Sequence, residues 1–170
     1  MSRNIWTISD THFGHQNILS FKRKDGSPVR AFDSVDSMDQ HMIDNWNKVV
    51  KDDDIVYHLG DVFFGDQNGA RVLSQLKGRK RLILGNHDNC KNKALQKYFQ
   101  KIMMWRMFPE LGCILSHVPL HESTFIYKSD NMINIHGHIH NNDSPSPKHK
   151  NVSVEVINYT PVNIEDLVKK

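Results

Sequence analysis

Five short polar segments interrupt this chain, and each ends in side chains that bind metal ions: Asp10-Thr11-His12, Gly60-Asp61, Gly85-Asn86-His87-Asp88, Ser116-His117 and Gly137-His138-Ile139-His140. Each follows an apolar run of strand type, at 5–8, 55–57, 82–84, 114–115 and 132–135. A carboxylate or imidazole just past a strand sits at a sheet edge, where groups from several strands can meet in one cleft. The chain is therefore expected to bring five strand ends together. Oxygen and imidazole nitrogen donors in one set suit two divalent metal ions, and that combination points to a hydrolase. Singly, each segment has an ordinary explanation: Asp10 as a helix cap, Asp61 and the Asn86–Asp88 pair as turn residues, each histidine as surface polarity. Only the metal reading explains all five at once.

Size and composition fit that reading. A chain of 170 residues is one domain by length and buries roughly 70% of its unfolded surface, so residues 1–170 are expected to form a single domain. Apolar content of 38% and charged content of 24% are those of an ordinary globular protein. No apolar run approaches the roughly 18 residues of a membrane span, and no signal-peptide pattern precedes the first strand, so a cytoplasmic protein without a membrane partner is expected. Cys113 lies in an apolar strand and is expected to be buried, and neither it nor Cys90 suggests a disulfide framework. The net charge is +3. Three short basic clusters, Lys22-Arg23-Lys24, Arg79-Lys80-Arg81 and Lys148-His149-Lys150, fall short of the runs that mark nucleic-acid binding; that partner is considered but not favoured.

The order of elements gives the fold class. Residues 4–9 are expected as a strand, 11–32 as a polar loop, and 34–48 as a helix capped by Asp33, with Val35, Met38, Met42, Ile43 and Trp46 recurring at three and four residues. A strand at 55–58, a short helix carrying Val72, Leu73 and Leu76 and closed by Gly78, a strand at 81–84 and a helix at 91–100 follow. Strands are then expected at 102–107, 112–116, 124–127, 132–136 and 152–157, a surface loop over 141–150, and a capped turn from Asn163. Strands alternating with helices early and strands predominating late imply a mixed α/β chain of two packed sheets with helices outside.

The five blocks, D-x-H, G-D, G-N-H-D, H and G-H-x-H, stand in the order that marks the calcineurin-like metallophosphoesterases, and from Asp10 to His140 the chain resembles that family. The resemblance implies a four-layer αββα sandwich with two mixed sheets. It implies one metal held by Asp10, His12 and His140, a second held by Asn86, His117 and His138, and Asp61 bridging the two. Metal ions so held share a hydroxide that attacks phosphorus in line. Manganese is the first expectation for both, with iron, zinc, nickel or magnesium as alternatives. His87 is implied as the general acid, with Asp88 fixing its tautomer.

Thr11-His12-Phe13-Gly14-His15 with Arg30-Ala31-Phe32 is similar to a compact bacterial and phage branch of the family, in which the second motif reads Arg-Pro-Phe; Ala31 stands here in place of the proline. On that likeness His15 and Arg30 are expected to meet the substrate phosphate, Arg30 through its bidentate fork. His58 and His136 are expected to support ligands or be satisfied in the core, His121 to line the cleft, and His41 and His149 to be exposed. Trp46 and Trp105 are expected in the core. Almost no length is left for a cap domain, so short loops must select the substrate. A small phosphodiester or nucleotide is the first expectation. A phosphomonoester and a nuclease substrate are the alternatives, and from another class, a scaffold of the same fold without catalysis. Such a scaffold should lack a ligand or the histidine of Asn-His-Asp, and all are present.

Overall fold

The computed structural model describes residues 3–126 and 131–169. Two sheets pack face to face. The first has the order β4-β3-β2-β1-β9, formed by β1 (Ile5–Ile8), β2 (Ile55–His58), β3 (Arg79–Ile83), β4 (Lys101–Met103) and β9 (Val162–Asn163). The second has the order β5-β6-β7-β8, formed by β5 (Trp105–Phe108), β6 (Cys113–Ser116), β7 (Ile133–His136) and β8 (His149–Asn151). Strands β1 to β4 run parallel and β9 antiparallel; β5 is antiparallel to β6, and β6, β7 and β8 are parallel. Both sheets are thus mixed, and this is the α/β sandwich expected from the sequence.

The outer face of the first sheet is covered by α1 (Val35–Val49), α2 (Asp66–Leu73) and α3 (Lys93–Tyr98). Met38, Met42, Ile43 and Trp46 of α1 join Val72, Leu95 and Phe99 on Ile8, Val56 and Leu82 of the sheet. The cap of α1 is Ser34, one residue later than expected: its hydroxyl accepts from Ser37 N–H while Ser37 Oγ accepts from Ser34 N–H. Between the sheets lie Tyr57, Leu59 and Ile83 from one side and Cys113, Leu115 and Ile135 from the other, with Ile164 of α4 (Ile164–Val168) closing one end. Asn163 caps α4 as the sequence implied. Over the outer face of the second sheet, among the described residues, the cover is a 3-10 turn (Glu122–Thr124) with Phe125 packed on Ile114 and Met132.

Three expected strands came out differently. The run 102–107 is two strands, because the chain leaves the first sheet after Met103 and enters the second at Trp105. Its alternation of apolar residues suits either sheet, so the sequence cannot show the exchange. Trp105, expected in the core, stands at this corner 58% exposed. The run 124–127 is a 3-10 turn up to its last residue, which lies outside the described residues. The strand expected at 152–157 begins earlier, as β8, inside the stretch read as a loop; Ser153 makes a single bridge to Ser9, and the chain then turns. That bridge joins the two sheets: Ser9 N–H donates to Val152 O at 2.9 Å and Val154 N–H to Ser9 O at 3.1 Å. His149 follows from the same shift. It is buried, bonded through Nε2 to Leu120 O at 2.8 Å, and not exposed as expected.

Candidate metal centre

All five motif segments lie just beyond the C-terminal ends of strands β1, β2, β3, β6 and β7, and the paired sheets bring these ends to one place. Asp10 N–H donates to Gly60 O at 3.0 Å, His12 N–H to Asp61 O at 3.0 Å, and Gly137 N–H to His117 O at 2.9 Å, so four of the five segments are tied in pairs. The glycines of the motifs clear the way. A Cβ on Gly85 would collide with the Asp61 carboxylate, and one on Gly137 with Ser9 Oγ and Asp10 Oδ2. The approach of the strand ends is therefore closed to any other residue there.

Five of these residues sit in the left-handed backbone region: Asp10 (φ 57°), His12 (47°), Asp61 (57°), His138 (71°) and His140 (49°). Among the described residues only two other non-glycine positions share it, Asn158 and Tyr159. Such backbone costs about 1–3 kcal/mol per residue.

The donors form two groups, Asp10 with His12 and His140, and Asp61 with His117 and His138, the atoms of each group lying within 4.8 Å of one another. Asn86 completes the second: its Oδ1 is 2.8 Å from His117 Nε2 and 3.0 Å from His138 Nδ1, and these nitrogens are 3.2 Å apart. One oxygen links the groups. Asp61 Oδ2 is 3.8 Å from His12 Nε2 and 3.5 Å from His117 Nε2.

The remaining atoms of these side chains are held by protein. His117 Nδ1 faces Leu59 O at 2.7 Å, which makes it the donor and frees Nε2 as a lone-pair ligand. Asp10 Oδ2 accepts from His138 N–H at 2.8 Å and Ser153 Oγ at 3.0 Å, and Asp61 Oδ1 accepts from His87 N–H at 2.9 Å. His140 Nδ1 meets Glu155 Oε1 at 3.0 Å. By contrast Asp10 Oδ1 and both ring nitrogens of His12 are buried without any hydrogen-bond partner. Orphaned buried donors and acceptors of this kind are costly unless something occupies the space between them, and two divalent cations fit the set.

Electrostatics agree. Burial pushes the Asp61 carboxyl pKa upward, with the Asp10 and Asp88 charges adding to it. Burial, reinforced by the Arg30 charge, drives the His12 pKa far down. A neutral His12 imidazole beside a carboxylate that needs a positive partner is what a cation selects. For His140, burial works downward but the Glu155 hydrogen bond and charge outweigh it, and the pKa rises.

Two side chains, Arg30 and Asp88, behave differently from the sequence expectation. Arg30 does not point at a substrate. It is 1% exposed, its Nη1 donates to Thr11 O at 2.7 Å, its Nη2 to Asp10 O at 2.5 Å, and its Nε to Glu155 Oε1 at 2.8 Å. Its fork is spent on the first motif's backbone and on a carboxylate of the protein itself. Asp88 does not hold His87: its carboxylate accepts from the N–H groups of Gly85, Asp61 and Val62 at 2.9, 2.9 and 3.0 Å, pinning the second motif to the third. His15 is half-buried and stacked on Phe64, with ring centroids 4.2 Å apart and Nδ1 unpartnered. His121 caps the 3-10 turn at Glu122. His87 itself is exposed, its ring 5.7 Å from that of His12 and 5.5 Å from Phe64.

His58 is a satisfied core residue, bonded to Thr11 Oγ1 at 2.9 Å and accepting from Gly60 N–H at 3.2 Å. Glu155 carries no functional signal in the sequence. It lies in the alternating run Val152-Ser153-Val154-Glu155-Val156, where its position reads as the solvent face of a strand, and nothing in the sequence marks it as a buried partner of His140 and Arg30.

The sequence model described as Calcineurin-like phosphoesterase matches residues 3–168. The chain is 37% identical to an uncharacterized protein of Methanocaldococcus jannaschii, MJ1445, over 98% of this chain and 90% of that one. It is 28% identical to the gene 66 protein of Mycobacterium phage L5, over 81% of this chain and 77% of that one. The crystal structure of AQ665 from Aquifex aeolicus, a protein of unknown function, superposes with a TM-score of 0.76 at 30% identity, covering 98% of both chains.

Proposed function

The chain belongs to the calcineurin-like phosphoesterase family, and from that premise we propose that it hydrolyses phosphate esters at a centre of two divalent metal ions. The observation that carries the proposal is the Asp61 carboxylate, one oxygen of which stands between the two donor groups at 3.8 and 3.5 Å. Asp10, His12 and His140 would hold one ion, Asn86, His117 and His138 the other, and Asp61 would serve both. Two such ions supply Lewis acidity toward the phosphoryl oxygens and make water nucleophilic at neutral pH.

The protein's part is positional. Leu59 O and Glu155 fix which nitrogen of His117 and His140 faces inward. Asp88 keeps the Asp61 and Gly85 segments in register. His87 is exposed at the mouth, held through its backbone N–H by Asp61 Oδ1, with its imidazole free to give a proton to the departing ester oxygen. Phe64 walls the cleft beside His12, His15 and His87. A phosphodiester or nucleotide is the favoured substrate and a phosphomonoester the second, with manganese the favoured metal.

The test is a hydrolysis panel with manganese-loaded protein, covering aryl phosphodiesters, aryl phosphomonoesters and cyclic nucleotides, with and without EDTA. Metal-dependent turnover of at least one class is expected. Protein that carries two equivalents of metal and cleaves none of them would sink the proposal.

A further inference from the structure

Resting on the phosphoesterase reading above, we propose that the recess beside Asn86 and His117 receives an aromatic substituent of the phosphate ester. The recess has a volume of about 570 Å³, within the range of small-molecule sites. Of the five large apolar side chains that stand exposed among the described residues, three line it: Met104 at 66%, Trp105 at 58% and Val118 at 42%. Exposed apolar groups gathered in one concavity mark a binding surface.

Three observations choose the occupant. Apart from His117 at the rim, no acidic or basic side chain among the described residues lines the recess, so its apolar interior offers nothing to a charged group. Its inner rim is made by Asn86 and His117, whose Oδ1 and Nε2 belong to the donor set; a group seated there is continuous with a phosphate at the centre. The register pairs Trp105 with Ser116, the residue before His117, which puts an indole beside a ligand-bearing strand end. Indole and thioether together favour a flat, polarisable ring over a branched alkyl group. The sheet exchange after Met103 is what exposes Met104 and Trp105, so the pocket follows from how the two sheets are connected.

Calorimetry with manganese-loaded protein tests this without turnover, using inorganic phosphate, methylphosphonate and phenylphosphonate as probes. Phenylphosphonate is expected to bind about tenfold more tightly than methylphosphonate, and Trp105→Ala to bring that ratio to about twofold or less. Val118→Asp, at a side chain already exposed, is expected to lower it further by placing a charge in the wall. A wild-type ratio near one, or an unchanged ratio in both variants, would overturn the proposal. A wild-type dimer that Trp105→Ala dissociates in sedimentation would overturn it too, giving the recess to a second copy of the chain. Failure of inorganic phosphate to bind would overturn the phosphoesterase reading and this one with it, and that arm separates the two failures.

Discussion

The two donor groups use similar side chains but are built to different standards. Asp10 and His12 are 0% and 3% exposed, and behind them Arg30 binds the Asp10 and Thr11 carbonyls and Glu155, which in turn binds His140. The other group has one buried histidine, His117, while Asn86 and His138 are exposed. Apart from the shared Asp61, its side-chain support is thinner, a single carbonyl behind His117. Buried, pre-oriented ligands lose less freedom on binding and are less screened by water. The first group should therefore hold its metal tightly and act as an anchor. The second should exchange its metal readily and present the more accessible ion to substrate.

Removing the shared oxygen erases the contrast. Asp61→Ala should lose both metals together in elemental analysis and lower turnover by about a thousandfold or more. If either group kept full occupancy, the bridging role would be wrong. His87→Ala, by comparison, touches neither group: kcat should fall by about a hundredfold with two metals still bound, and metal loss in that variant would give His87 a structural role instead.

Glu155→Gln sharpens the comparison, because it weakens only the support of the buried group. Metal affinity there should drop by about 10–100-fold while that of the Asn86 group stays as it was, so a titration that began with two well-separated steps should show them converge. Separate steps of unchanged spacing would mean that Arg30 and Glu155 hold the fold alone. Stepwise chelation of the native protein is the matching control: the metal lost first should be the one whose remaining loss is abolished by His138→Ala.

The same contrast separates what was legible in the sequence from what was not. Asp10, His12, Asp61, Asn86, His117, His138 and His140 could be found because ligand chemistry at strand ends is a local pattern, and the fold brings all seven together. Helices α1 and α3 and most strands follow from local periodicity in the same way. What lay beyond reach depends on partners distant in sequence. Arg30 carries a fork that fits any carboxylate, and only the fold reveals that it meets Glu155, 125 residues away, and not a substrate. Asp88 is polar beside a histidine, yet its acceptors are filled by backbone N–H groups 26 and 27 residues off. Trp105 reads as core because an apolar strand residue usually is, and a change of sheet at the preceding residue leaves it outside.

The smallest expected effect concerns the frame of the buried group. His58, 1% exposed, bonds Thr11 Oγ1, and Thr11 lies between Asp10 and His12. Burial pushes its pKa down to about 3 from the ordinary 6.5, with the His117 charge adding to the shift. A depressed histidine pKa in the folded state means that the unfolded chain takes up a proton that the native protein refuses. The stability tied to neutral His58 is thus fully present above pH 6.5 and is lost as pH falls from there toward 3, at about 1.4 kcal/mol per pH unit. Burial also lowers His12 and His136, so the slope must be isolated by difference. Urea midpoints of metal-free protein, measured from neutral pH to pH 4.5, should fall more steeply for the native chain than for His58→Gln, whose amide can still bond Thr11 but takes no proton. Parallel curves would mean that His58 ionises in place and that the buried half of the centre is wetter than its packing implies.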